Sequence, residues 1–175
     1  MIWSLISSGS NWLSPVEPDF EHWQINRSFT SVKVPEGEAW KIAYEFNQNS
    51  TFEGLVRHIT EIHEGDYPLL SHDILVTSGD FSDGDKVVAT VSDHRFFWYS
   101  PRMTNPKGKI NLLHTVPLNA EIYQSLSHIK TGQTVRIQGK EILSIEHFDA
   151  NGTWLGSWYD TGCNTLLVVS VEILP

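Results

Sequence analysis

The clearest pattern of apolar and polar positions lies in the last third of the chain. Ile122, Leu126 and Ile129 recur at i, i+4 and i+7, which predicts one buried face on a helix of about three turns. Asn119 stands where a side-chain oxygen can cap the first turn, and Gly132 where a left-handed residue can end the helix. Val135, Ile137 and Gly139 then alternate with Thr134, Arg136 and Gln138, the period of a half-buried strand. A second strand is expected over 141–148 and a turn at Asn151-Gly152. A return strand over 152–159 should set Trp154 and Trp158 on one face. The Val/Ile/Leu run over 166–174 reads as a strand buried on both faces.

The earlier chain is weaker in pattern. Trp40, Ile42, Tyr44 and Phe46 alternate with polar residues over 39–46, which predicts a strand. The segment 52–63 fits either period; Gly54 and the β-rich surroundings favour a strand. A short strand is expected within 20–34, a short apolar piece at 73–77, a Gly-rich surface turn at 78–85, strands at 87–91 and 95–99, and a long loop at 100–109. Residues 1–20 read as an irregular arm and 21–175 as a single β-rich domain. The expected class is mostly β with one or two short helices, a small partly open barrel of OB-like character or a sandwich.

Composition narrows the chemistry. The chain has 175 residues, enough to bury a core without covalent staples. Its net charge of −9 disfavours nucleic acid as a partner, since a phosphate-backbone binder usually carries a basic face. Cys163 is the single cysteine, so no intramolecular disulfide and no paired-cysteine zinc or redox motif can form. No run approaches the ~20 apolar residues of a membrane helix. The N-terminus lacks the basic start of a signal peptide. The chain as written is expected to be cytoplasmic, or periplasmic or membrane-anchored if a leader has been removed.

Five constellations carry possible chemistry. Cys163 with His114, and Asp160 to orient the imidazole, could form a thiolate nucleophile; a buried inert cysteine is the commoner outcome. His58, His63, His72 and Asp73, with Glu61, Glu64 and Asp66 nearby, offer imidazole and carboxylate donors, but no standard zinc spacing is present. Solvated histidines are therefore expected, with no metal and no cofactor. The acidic run 80–85 lacks the alternating ligands of a calcium loop. Asp160-Thr161-Gly162 matches the aspartic-protease tripeptide, but no second copy supplies the partner carboxylate. Finally, Arg95, Trp98, Tyr99, Arg102, Lys107 and Lys109 interleave rings with cations, as a single-stranded nucleic-acid or glycan surface would.

Several stretches together resemble an uncharacterised family of small bacterial proteins. They are 51–56, 70–79, Ser82-Asp83, 95–99, 111–119 with its His114-Thr-Val-Pro117 step, the Gly-x-x-Val-x-Ile-x-Gly run 132–139, Asp160-Thr-Gly-Cys163, and Val171-Glu-Ile-Leu174. The resemblance covers roughly 51–175. It departs at Thr77-Ser-Gly79, where the family has Gly-Trp-Gly, and at Asn164, where the family usually has an acid. The resemblance implies a shared fold and, for many members, a membrane anchor or export signal. It implies no activity.

These readings converge on a non-catalytic domain that binds a small ligand or a protein. Trp98, Tyr99, Trp154 and Trp158 would line its cleft with Arg95 and Arg102 close by, and His114 and the 160–163 turn near it. A Cys163/His114 hydrolase or transferase is the first alternative, and OB-like binding of single-stranded nucleic acid the second.

Overall fold

The computed structural model describes residues 32–33, 39–45, 47–62, 69–159 and 162–175. The irregular arm expected over 1–20 lies outside them. Among the described residues there are ten strands and one α-helix: β1 Val32–Lys33, β2 Ala39–Tyr44, β3 Ser50–Glu61, β4 His72–Gly79, β5 Val88–Ser92, β6 Arg95–Tyr99, β7 Gly108–Pro117, α1 Ala120–Ser127, β8 Thr134–Phe148, β9 Trp154–Tyr159 and β10 Asn164–Leu174.

Five strands close a barrel in the order β3-β8-β10-β7-β4, with β4 returning to β3. All neighbours are antiparallel except β7 and β10, which run parallel. The helix sits between the third and fourth barrel strands in chain order. A five-stranded Greek-key barrel with this order and this helix is an OB barrel. The barrel reading holds over the sandwich, and the ring is closed.

The interior is filled by Phe52, Val56, Ile74, Val76, Leu113, Val135, Ile137, Leu166 and Val168. Leu126 brings the helix into that same core, and Ile129, just past its end, joins it. The helix stops at Ser127 with His128 as its C-cap, short of the expected end at Gly132. Asn119 caps the helix, its Oδ1 accepting from the Ile122 N–H at 3.0 Å. A second core lies outside the barrel, where Trp40, Ile42, Ile142 and Ile145 pack on Leu69, Val116 and Leu167.

Two strand predictions need correction. The two strands expected over 134–139 and 141–148 are one strand of 15 residues. Its first half pairs with β3 and β10 in the barrel, and its second half with β2 and β9 beyond it. Trp154 and Trp158 do not share a face. Ladder pairs run from Ser144↔Tyr159 to His147↔Gly156 and then jump to Phe148↔Trp154, so Leu155 is a bulge. One extra residue inverts the alternation. Trp158 turns inward and Trp154 outward, where it is exposed.

The 78–85 turn and the 100–109 loop bracket an insertion. Asp80 begins a short 3-10 turn, Asp80–Ser82, and its backbone N–H donates to the Lys107 carbonyl at 2.7 Å. Arg57 on β3 grips the same turn, donating to the Phe81 and Val87 carbonyls. The insertion carries β5 and β6 as a separate two-stranded hairpin. Phe81 is buried and meets the Trp98 ring edge-on at 5.2 Å, which seats the hairpin. The described residues contain no helix long and apolar enough to cross a membrane.

Candidate functional site

The outer face of the β4–β7 pair carries a polar cluster. Asp73 and His114 are direct cross-strand partners, so both side chains point to the same side, away from the Ile74–Leu113 pair that fills the barrel. His114 Nδ1 lies 2.5 Å from Asp73 Oδ1, and His94 Nδ1 lies 2.8 Å from Asp73 Oδ2. One buried carboxylate therefore joins two imidazoles. His94 reaches it from the tip of the β5–β6 hairpin.

That tip is a two-residue turn, Asp93-His94, between the paired residues Ser92 and Arg95. Both turn residues have positive φ, +50° and +58°, as a type I′ hairpin needs. Glycine or asparagine usually fills such positions. Here a histidine accepts the conformation and gains a buried carboxylate as its partner.

Trp158 walls the cluster. Its ring stands edge-to-face with His114 at 5.3 Å and with His94 at 6.0 Å, and its Nε1 donates to Thr165 Oγ1 at 3.0 Å. The cluster opens into a concavity of about 730 Å³ lined by His94, Arg95, Phe97, His114, Trp158 and Cys163, among others. Cys163 Sγ donates to the His94 carbonyl at 3.7 Å.

The sequence-predicted residues distribute as follows. His114, Cys163, Arg95 and Trp158 come together in the concavity. Among the described residues the carboxylate beside His114 is Asp73; Asp160 lies outside them. Trp98, Tyr99, Arg102 and Trp154 are not among the lining residues. Trp98 faces Phe81, while Phe97, Tyr99 and Trp154 are exposed.

The expected histidine group is also divided. His63, Glu64 and Asp66 lie outside the described residues. His72 and Asp73 are strand neighbours and point to opposite faces. His72 is buried in a hydrogen-bond chain, with its Nδ1 3.1 Å from Ser71 Oγ and its Nε2 3.5 Å from Ser127 Oγ. Close by, Tyr123 donates to Glu61 at 2.5 Å. His58 borders a smaller hollow beside Asp73 and His94. His94 was absent from the expected set, and its signal was the two-residue gap between two strand-like runs.

No protein-family model matches the chain, and no curated protein does. Among solved structures it is similar to the S. cerevisiae mitochondrial single-stranded DNA-binding protein Rim1. One crystal structure aligns at 10% identity and a TM-score of 0.29, covering 73% of this chain and 94% of that one. A second, from selenomethionine-labelled protein, aligns at 12% identity with the same TM-score and coverage. This likeness transfers no ligand to the chain. The exposed cations of one stretch of the chain do correct the expectation that net charge disfavours nucleic acid. A sum over the whole chain averages away local groups such as Arg95, Arg102, Lys107 and Lys109, all exposed within 15 positions.

Proposed function

We propose that the chain is a non-catalytic binding domain that takes single-stranded nucleic acid by stacking bases along the β5–β6 hairpin. The observation that carries this reading is the stripe Arg95, Phe97 and Tyr99. The three alternate on one face of β6, and all are exposed, Phe97 at 62% and Tyr99 at 61%. On the opposite face Phe96 is half-buried, and Trp98, although 45% exposed, meets Phe81 edge-on. Two large rings left in water beside a guanidinium have no packing role to explain them. A base stacked on an aromatic ring contributes about 1–3 kcal/mol, whatever the base. The stripe runs into the concavity at Arg95 and Phe97, so a strand laid on the hairpin would reach His114 and Trp158.

A labelled oligothymidine titrated into the full chain tests this by fluorescence anisotropy. Phe97→Ala and Tyr99→Ala should each weaken binding about tenfold or more, and duplex DNA should bind far less. Affinity should fall as salt rises, because Arg95 stands in the stripe and the exposed Arg102, Lys107 and Lys109 follow it in the chain. Absence of binding, or binding indifferent to both ring substitutions, overturns the reading.

The shared concavity of His114 and Cys163 is what favours the alternative, a hydrolase or transferase. Against it, the Cys163 thiol donates to the His94 carbonyl, a contact that holds its proton instead of removing it. Loss of a measured hydrolytic or transfer activity in Cys163→Ser, with thermal stability retained, is the result that would favour catalysis.

A further inference from the structure

Asp73, His94 and His114 place one carboxylate oxygen and two imidazole nitrogens within 4.8 Å of one another. Three separate elements deliver them: β4, β7 and the hairpin tip. Two of the three are buried, and Trp158 packs edge-on against both rings, fixing their orientation. His94 sits at φ +58°, a conformation that a non-glycine residue adopts only at a cost. A hairpin that needed only to turn would be better served by asparagine or glycine. The tip has instead a histidine aimed at a buried acid.

We propose that these three residues form a binding site for a divalent transition metal, with zinc(II) the best match. Two imidazoles and one carboxylate are a donor set suited to zinc, and three protein ligands leave a fourth position for water or a ligand. Two of the three, His94 and His114, line the concavity. Calcium and magnesium want shells of oxygen, which this cluster does not supply. In the metal-free arrangement, protons link the carboxylate to the two Nδ1 atoms. The metal takes their place, and each ring then carries its proton on Nε2. The site gives the hairpin tip a second anchor and places a Lewis acid at the end of the aromatic stripe.

The test uses the full chain, stripped with a chelator and titrated with Zn²⁺, with Co²⁺ as a visible-absorption reporter. Binding of one Zn²⁺ per chain is expected, together with a rise in melting temperature. His94→Asn is the decisive variant, because asparagine tolerates positive φ and preserves the turn. It should melt somewhat below the metal-free wild type, having lost the His94 hydrogen bond to Asp73, lose zinc affinity by at least about 100-fold, and show no zinc-induced rise over its own metal-free form. Asp73→Asn should lose the metal likewise, and Cys163→Ser should keep it. A wild type that binds no zinc, or a His94→Asn protein that binds it as tightly, overturns the site. So does a signal that disappears in Cys163→Ser alone. No oligonucleotide is present in this experiment, so its outcome stands apart from the nucleic-acid reading.

Discussion

Asp73 on β4 and His114 on β7 face each other across the ladder, and their side chains meet at 2.5 Å on the outside of the barrel. The same register sets Leu75 against Leu112 on that outer face and Ile74 against Leu113 within. On the outer face this polar pair thus stands directly beside the apolar Leu75–Leu112 pair. It stays out of water because the hairpin tip and Trp158 cover it.

Replacing Asp73 should therefore cost more than a surface carboxylate would. Asp73→Ala leaves two imidazoles facing an empty buried position. Hydrogen bonds to a charged group contribute about 1.5–3 kcal/mol each. A loss of about 2–4 kcal/mol is expected by urea unfolding. Asp73→Asn should lose less, since the amide oxygen still accepts from one ring. A metal-free Asp73→Ala protein as stable as the wild type would mean the pair contributes nothing.

Gly139 marks where β8 passes between two partners. It pairs with Ser50 on β3 and with Val168 on β10, and a methyl group there would lie 2.2 Å from the Leu167 carbonyl oxygen. Nothing flexible can yield, because the obstacle is backbone. Gly139→Ala should destabilise by several kcal/mol, of the order seen for overpacked cores or more, and leave little folded protein at 37 °C. By contrast, Gly152→Ala should cost only about 1 kcal/mol, from its φ of +81° with open space around it. Circular dichroism melts of the two variants compare them directly.

The helix and the barrel strands were legible because their signals are local: a cap, a 3.6-residue period, a two-residue period. The continuity of β8 was not. Its buried positions run 135, 137, 139, then 142 and 145, so the alternation loses phase where the ladder to β2 shifts between Ala43 and Tyr44. Leu143, exposed at 59%, sits at that shift. A bulge is set by the partner strand, which lies a hundred residues away in sequence. At Trp154 the partner is near, Phe148 across the β8–β9 turn, but the register jump is again set by the pairing and not by the alternation. At the site, Asp73 and His114 were each visible, yet their meeting depends on the β4–β7 register. Strand alternation alone would have separated His72 from Asp73. His94 could have been found from the two-residue turn that places it.

The cap offers a contained test of the helix. Asn119 Oδ1 accepts from Ile122 N–H, and helix α1 has only eight residues. Asn119→Ala should cost about 1 kcal/mol, and Asn119→Asp should be close to neutral. Because Leu126 belongs to the barrel core, the loss should appear in the global unfolding transition, with no separate early step. A biphasic melt in Asn119→Ala would show that the helix is coupled to the barrel less tightly than its packing implies.

Asp80 ties the base of the insertion that carries the hairpin. Its Oδ2 accepts from the Lys107 N–H at 2.8 Å and its Oδ1 from Lys86 Nζ at 2.9 Å. Those two donors, the Lys107 backbone first, hold its carboxyl below the ordinary value of 3.8. A depressed carboxylate contributes stability that is present above its unfolded value and is lost as pH falls through the folded one. Lys86 is raised above 10.5 by the same pair, so its share is present below that value and is lost as pH rises through the folded one. Asp80→Asn removes both contributions while keeping an oxygen for Lys107. Melting temperatures of wild type and Asp80→Asn should therefore differ at neutral pH, converge as pH falls well below 3.8, and converge again in strong base. The pair is solvent-exposed, so 0.5 M salt should shrink the neutral gap in any case, since the Debye length falls to roughly 4 Å. Curves that run parallel through the acid limb would assign the gap to the shape of the turn instead of the charge on Asp80.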